Sequence, residues 1–302
     1  MVVGLETIST HLPGTRGPPR MHRMSRVAKV LLTAAVMVAA AFPPIARAAE
    51  AAPAAARQLV IRPDPKGDWG ADLRDVEKVL YSAAGELWTH FPERRLAPIH
   101  VQPKGGPIVL FDRGPGGEYR VRLNTGQLYW AQYAFQFAHE FCHILCGYVD
   151  EDTSNKWFEE SLCETASLFV LRRMAETWKT APPYPHWKDF APHLEEYARD
   201  RLDEVHLPAD TTLADWHRRH ADELRKAPCQ RDLNRVVAGV LLPLFEKHPE
   251  HWEAVTWLNA GASKEPRPFE RYLADWHAHC PDKHKPFVTR IAKQFGVSLP
   301  AD

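Results

Sequence analysis

Residues 128–148 read Leu128-Tyr129-Trp130-Ala131-Gln132-Tyr133-Ala134-Phe135-Gln136-Phe137-Ala138-His139-Glu140-Phe141-Cys142-His143-Ile144-Leu145-Cys146-Gly147-Tyr148, and this stretch decides the fold. Most positions are apolar or aromatic, so a helix built from them is buried nearly all round. The polar exceptions are Gln132, Gln136, His139, Glu140 and His143. At about 100° per residue these five fall on one face. Buried His and Glu are costly unless they are paired or bind a metal. The stripe therefore demands partners from elsewhere in the chain.

Its centre, His139-Glu140-Phe141-Cys142-His143, has the spacing H-E-x-x-H. Two imidazoles at i, i+4 share a helix face and can reach one Zn²⁺. The Glu beside them is positioned to take a proton from a water on the metal. A third ligand is expected on the next helix, over 155–179, which opens Asn155-Lys156-Trp157-Phe158-Glu159-Glu160-Ser161-Leu162-Cys163-Glu164. Ser154 or Asn155 is placed to cap it. Glu160 and Glu164 share a face, so one can bind metal while the other accepts a hydrogen bond from a ligand His. Glu159, turned by about 100° from Glu160, and Asp150 are the other carboxylates near this point. Cys142 reads as a small buried core residue, and Trp157 as core packing.

With these residues in place, the chain resembles the gluzincin-type zinc metallopeptidases, the group of thermolysin-like enzymes and zinc aminopeptidases. Those carry H-E-x-x-H on one helix and a Glu ligand on the following one. Trp157-Phe158-Glu159-Glu160 is similar to their W-x-x-E pattern, and Glu164 stands where they have a supporting acid. The resemblance covers about 58–180. It implies His139, His143 and Glu160 as Zn²⁺ ligands, Glu140 as general base and Glu164 as the supporting acid. It also implies that the strand before the zinc helix, 119–123, is a sheet edge whose Val121 and Leu123 bind the backbone of a peptide or protein substrate. No G-x-M-E-N segment precedes the helix, so the aminopeptidase type of site is not implied. The His or Tyr that stabilises the oxyanion has no motif here. Tyr148, Tyr184, Tyr197 and His206 are the candidates.

Outward from this centre, 58–126 alternates strands with one helix. Strands are expected at 58–62, 98–101, 108–111 and 119–123, and a helix over 72–91 with Val76, Val79, Leu80, Ala83 and Leu87 at 3–4 spacing. Tyr119-Arg120-Val121-Arg122-Leu123 alternates by two and suits an edge. After 128 the pattern is almost wholly helical: 128–148, 155–179, about 190–204, 212–226, 231–247, 251–260, 268–279 and 285–295. The expected fold is α+β, a small zincin-like sheet packed on the zinc helix, with a helical region over 181–302 after the catalytic region 58–180. His217, His220, His277 and His279 read as surface or packing residues, and Arg172-Arg173 as a solvated helix face.

The N-terminus reads as a leader. Basic Arg23, Arg26 and Lys29 precede an apolar run, Val30 to Phe42, and Ala46-Arg47-Ala48 follows as a small-x-small cleavage pattern. The run is shorter than the roughly 20 residues a bilayer requires. Cleavage is expected near Ala48, with 49–57 as a linker and a secreted or periplasmic mature protein without a membrane span. Met21 or Met24 stands where such a signal begins, which makes 1–20 an upstream extension. Export permits disulfides. Of Cys142, Cys146, Cys163, Cys229 and Cys280, the pair Cys229–Cys280 is favoured and Cys146–Cys163 is open.

The 302 residues carry 38 Lys+Arg and 38 Asp+Glu, a globular composition with no basic excess for nucleic acid. Removing 1–48 takes away six basic residues and one acid and leaves an acidic excess of five. Two other classes fit the same residues. One is a non-catalytic binding or scaffold protein that keeps the metal structurally. The other is a two-His, one-carboxylate iron site, although a positioned Glu favours water activation.

Overall fold

The structure is a computed structural model and describes residues 59–150 and 153–299. The expected leader and linker lie outside the described residues. The chain is mixed α and β, mostly helical, with one four-stranded sheet. The strands are β1 (Ile61–Pro63), β2 (Ile99–Gln102), β3 (Ile108–Val109) and β4 (Tyr119–Arg122). Helix α1 (Leu73–Trp88) connects β1 to β2. Asp72 caps it by accepting the Arg74 amide N–H at 2.8 Å, satisfying one of the donors a helix start leaves free. Its buried residues include Val76, Val79, Leu80, Ala83 and Leu87, the stripe expected from their spacing.

The sheet order is β1-β2-β4-β3, with β1, β2 and β4 parallel and β3 antiparallel at one edge. This corrects the expectation for 119–123. Val121 pairs with Val101 on one side and Val109 on the other. The Leu123 amide donates to Gln102 and its carbonyl accepts from Gly106. The side chains of Val121 and Leu123 are fully buried. Neither residue has a free edge to offer a substrate backbone; β3 does. Alternation by two reports which face a side chain takes, not whether the strand has one neighbour or two. Arg120 and Arg122 lie on the more exposed face of an interior strand.

Helix α2 (Trp130–Cys146) packs against α1, β3 and α3 (Lys156–Thr180). It stops at Gly147, which takes φ 63° and donates its N–H to the last-turn carbonyls of His143 and Ile144. Glycine enters this left-handed conformation without a Cβ clash. Helix α3 is buried along most of its length. Trp178 near its end donates Nε1–H to Ser82 Oγ of α1 at 2.7 Å. At its start, Trp157 and Phe158 enter an aromatic cluster with Phe269, Tyr272, Trp276 and Phe295. Asn155 occupies the cap position, but its side chain donates to the Arg267 carbonyl at 2.9 Å instead of capping.

Helices α4 (Ala191–Glu204), α5 (Leu213–Lys226), α6 (Arg231–Lys247), α7 (Phe269–His279) and α8 (Lys285–Gln294) follow. Segment Pro249–Trp257 is a 3-10 run where an α-helix over 251–260 was expected. Trp252 and Val255, both fully buried, are three apart and eclipse in that geometry. One hydrophobic core runs through residues 59–180 and the C-terminal helical region alike. His217 is a packing residue, stacked on Trp157 at 5.0 Å. No helix among the described residues is long and apolar enough to cross a membrane.

Candidate metal centre

The polar stripe of α2 finds its partners in two places. Its N-terminal half holds the loop that leads in from β4. Gln136 Oε1 accepts the Asn124 N–H at 2.8 Å and Gln136 Nε2 donates to the Asn124 carbonyl at 3.1 Å. Thr125 Oγ1 donates to Gln132 Oε1 at 3.1 Å. Its C-terminal half, His139, Glu140 and His143, faces the first turns of α3.

There, Glu160 receives both imidazoles. His139 Nε2 lies 3.2 Å from Glu160 Oε2 and His143 Nε2 lies 3.5 Å from Glu160 Oε1. The opposite ring nitrogens are also backed by carboxylates. His143 Nδ1 meets Glu159 Oε1 at 2.5 Å. His139 Nδ1 lies 3.9 Å from Glu164 Oε2, an ion-pair distance beyond hydrogen-bond range. The expected supporting acid Glu164 is thus near His139, while the hydrogen bond to a ligand His comes from Glu159. Asp150, the other carboxylate considered, is exposed beyond the end of α2.

Both supporting acids are themselves held. Lys156 Nζ donates to Glu159 Oε1 at 2.6 Å and Asn259 Nδ2 to Glu159 Oε2 at 2.8 Å. Tyr272 donates its hydroxyl to Asn259 Oδ1 at 3.2 Å, which orients that amide. Arg235 of α6, 6% exposed, donates Nε–H to Glu164 at 3.1 Å and Nη1–H to Glu204 at 2.6 Å.

The electrostatics follow from this crowding. Burial works to raise Glu160, but His143 and His139 outweigh it and hold the carboxyl far below its ordinary range. Burial also works against charge on His143, yet Glu160 and Glu159 reverse that and raise it. Glu159 is held down to about 2 against its burial, by Lys156 and His143. Glu140, 3% exposed, goes the other way: burial raises it, with His139, His143 and the Val109 backbone amide opposing. Glu140, Glu159, Glu160 and Glu164 bring carboxylates to this spot, and Lys156 and Arg235 compensate two of them. That leaves Glu140 and Glu160 beside the two imidazoles.

A thiol competes at the same place. His139, His143 and Cys163 offer nitrogen and sulfur atoms within 4.8 Å of one another. Cys163 is fully buried, and burial pushes its thiol well up, away from the thiolate a metal takes. Glu160 is the carboxylate within 3.5 Å of both Nε2 atoms. Cys229 also lies beside Glu160, and burial together with that carboxylate pushes its thiol up to about 11. All five cysteines are free thiols, so the expected Cys229–Cys280 bridge is not formed.

Among the oxyanion candidates only Tyr148 is near the centre, and it donates its hydroxyl to the Leu110 carbonyl at 2.7 Å. Tyr184 packs on Trp187 and Tyr197 on Phe135, and His206 lies past the end of α4. Glu159 is one of the alternative carboxylates that the sequence offers, whereas Asn259, Lys156 and Arg235 are not singled out by it. The i, i+3 spacing of Lys156 and Glu159 was the one available signal. Asn259 and Arg235 arrive from remote segments, and nothing local marks them.

No protein-family model matches the chain, and neither the curated proteins nor the solved structures give a match to it. The reading of the site rests on its own chemistry.

Proposed function

We propose that the protein is an exported zinc metallohydrolase of zincin-like fold, acting as a peptidase on a peptide or protein substrate. His139, His143 and Glu160 would hold the ion and Glu140 would be the general base. One observation carries this reading. Both Nε2 atoms converge on opposite oxygens of a single carboxylate, while both Nδ1 atoms are backed by acids. Two imidazoles and a carboxylate are a ligand set that zinc takes in catalytic sites, and the acid bonded behind His143 fixes the tautomer of that ring.

A bound zinc acidifies a water and polarises a carbonyl. The rest is work for the chain. Glu140 takes a proton from the attacking water and delivers it to the leaving amine. Its burial moves the carboxyl toward the working pH, where proton transfer in both directions is efficient. Strand β3, whose Val109 amide faces Glu140, presents the free sheet edge along which an extended peptide can pair.

Metal analysis of the purified mature chain, paired with a broad peptide-library digest, tests the reading. About one zinc per chain with cleavage is expected. A metal-free protein overturns the site. The nearness of Cys163 to both imidazoles favours a second reading, a structural metal in a binding or scaffold protein. Zinc without cleavage of any library peptide would select it.

A further inference from the structure

Three of the five cysteines converge on one spot that the proposed chemistry does not use. Cys142 and Cys146 stand at i, i+4 on α2, on the flank facing α3, and Cys163 comes from α3. Their sulfur atoms lie within 4.8 Å of one another, and Cys142 Sγ is 4.0 Å from Cys146 Sγ. All three are fully buried. Cys142 also points its sulfur at the Leu162 carbonyl, one residue from Cys163, at 3.8 Å.

Two chemistries suit three such sulfurs, and charge decides between them. A soft cation needs thiolates, and three thiolates around a monovalent or divalent ion leave net negative charge in a dry interior. Glu159 and Glu160, one turn before Cys163 on α3, already bring carboxylates to that region. A disulfide is neutral and adds none. Its S–S bond is about 2.05 Å and the sulfurs lie within 4.8 Å of one another, so closure takes at most about 3 Å of sulfur movement, within the reach of side-chain rotation.

We infer that Cys163 and one of the two α2 thiols, Cys142 or Cys146, close a disulfide that ties the helix of His139 and His143 to the helix of Glu160. The oxidant is a small disulfide such as oxidised glutathione. One protein thiolate attacks it, forms a mixed disulfide and releases one glutathione. The second protein thiol then attacks the mixed sulfur and releases the other. Two protein S–H bonds are lost, one S–S bond is gained, and both protons leave on two molecules of reduced glutathione. Because the sulfurs are buried, exchange takes place while the chain is folding. The third cluster thiol stays reduced against the bridge. Oxidation also removes Cys163 as a rival ligand beside His139 and His143, which leaves Glu160 unopposed. The inference does not depend on the peptidase reading.

The test refolds the full chain from denaturant in a glutathione redox buffer. The product is then alkylated in denaturant, with and without prior reduction, and weighed. Five adducts are expected after reduction and two fewer without it, since the chain has five thiols. Proteolytic mapping should join the Cys163 peptide to that of Cys142 or Cys146. Cys163→Ala should abolish the difference, whereas Cys229→Ala should keep it. The oxidised form should melt about 5–10 °C above the reduced one, because the bridge closes a loop of moderate length. Equal adduct numbers with and without reduction overturn the inference, and a soft-metal site would give that result because denaturant releases its ion. A bridge mapped to Cys229–Cys280, or a difference that survives in Cys163→Ala, overturns it as well. The wild-type mapping decides the matter even if a variant fails to fold.

Discussion

Among the described residues, histidine and glutamate gather in two places, and the two are arranged differently. In the first, His139 and His143 aim their Nε2 atoms at Glu160. In the second, in the C-terminal region, His251 Nδ1 meets His284 Nδ1 at 2.9 Å and His284 Nε2 meets Glu253 at 3.0 Å. There the imidazoles partner each other, and both nitrogens of His284 are occupied. Lys283 supplies the cation that Glu253 requires, at 2.5 Å. The electrostatic outcome is opposite in sign. Burial lowers His251 and His284, while the two acids at His143 raise it in spite of burial. The lesson is that two His and a Glu do not define a metal site. What sets the first cluster apart is a pair of ring nitrogens facing one carboxylate, with an acid near each opposite nitrogen.

That contrast can be broken in four ways, from the largest effect to the smallest. Glu140→Gln should retain zinc and lose about 10²–10⁴-fold in peptide hydrolysis. A cleavage rate equal to wild type would remove Glu140 as the base. His143→Ala should abolish zinc binding measured by metal analysis, while His284→Ala should leave the metal content unchanged. Equal loss in both would erase the distinction between the clusters. Glu159→Gln should weaken zinc affinity by about 10–100-fold in a competition titration with a chelator, because the Nδ1 partner of His143 loses its charge.

The smallest effect is on stability against pH. Folding lowers His251 and His284 below the free imidazole value of about 6.5, so the unfolded chain binds protons first as pH falls. Their contribution is present above about pH 6.5 and is lost below it. Urea midpoints should drop between about pH 7.5 and 5.5, and drop less in His251→Gln. The difference should stay under about 1 kcal/mol, because His251→Gln leaves the His284 contribution in place.

Much of this was legible in the sequence. The helices of 58–180 and the helical C-terminal region follow from apolar periodicity, and their ends lie close to the expected ones because Gly147, Pro249 and Asp72 carry their own local signals. The convergence of His139, His143 and Glu160 was legible because i, i+4 spacing fixes one helix face. The rest was hidden for physical reasons. Strand order is a long-range property, so alternation in 119–123 did not tell an interior strand from an edge. Asn259 and Arg235 act across about 100 and 71 residues of chain, and loop closure at such distances leaves no pattern in sequence. The thiol cluster was only half visible, since Cys142 and Cys146 share a helix while Cys163 joins them through packing.

The short edge strand has a mechanical consequence. β3 holds the sheet through two residues only, and one of them, Val109, also turns its amide toward Glu140. A strand this short is the part of the sheet most prone to fray. Each opening would withdraw that amide and remove one of the contacts that oppose the burial of Glu140, biasing the carboxyl further toward the protonated acid. A chain paired along β3 would clamp the strand shut. Occupancy of the groove and readiness of the proton acceptor would then be two readouts of one hinge.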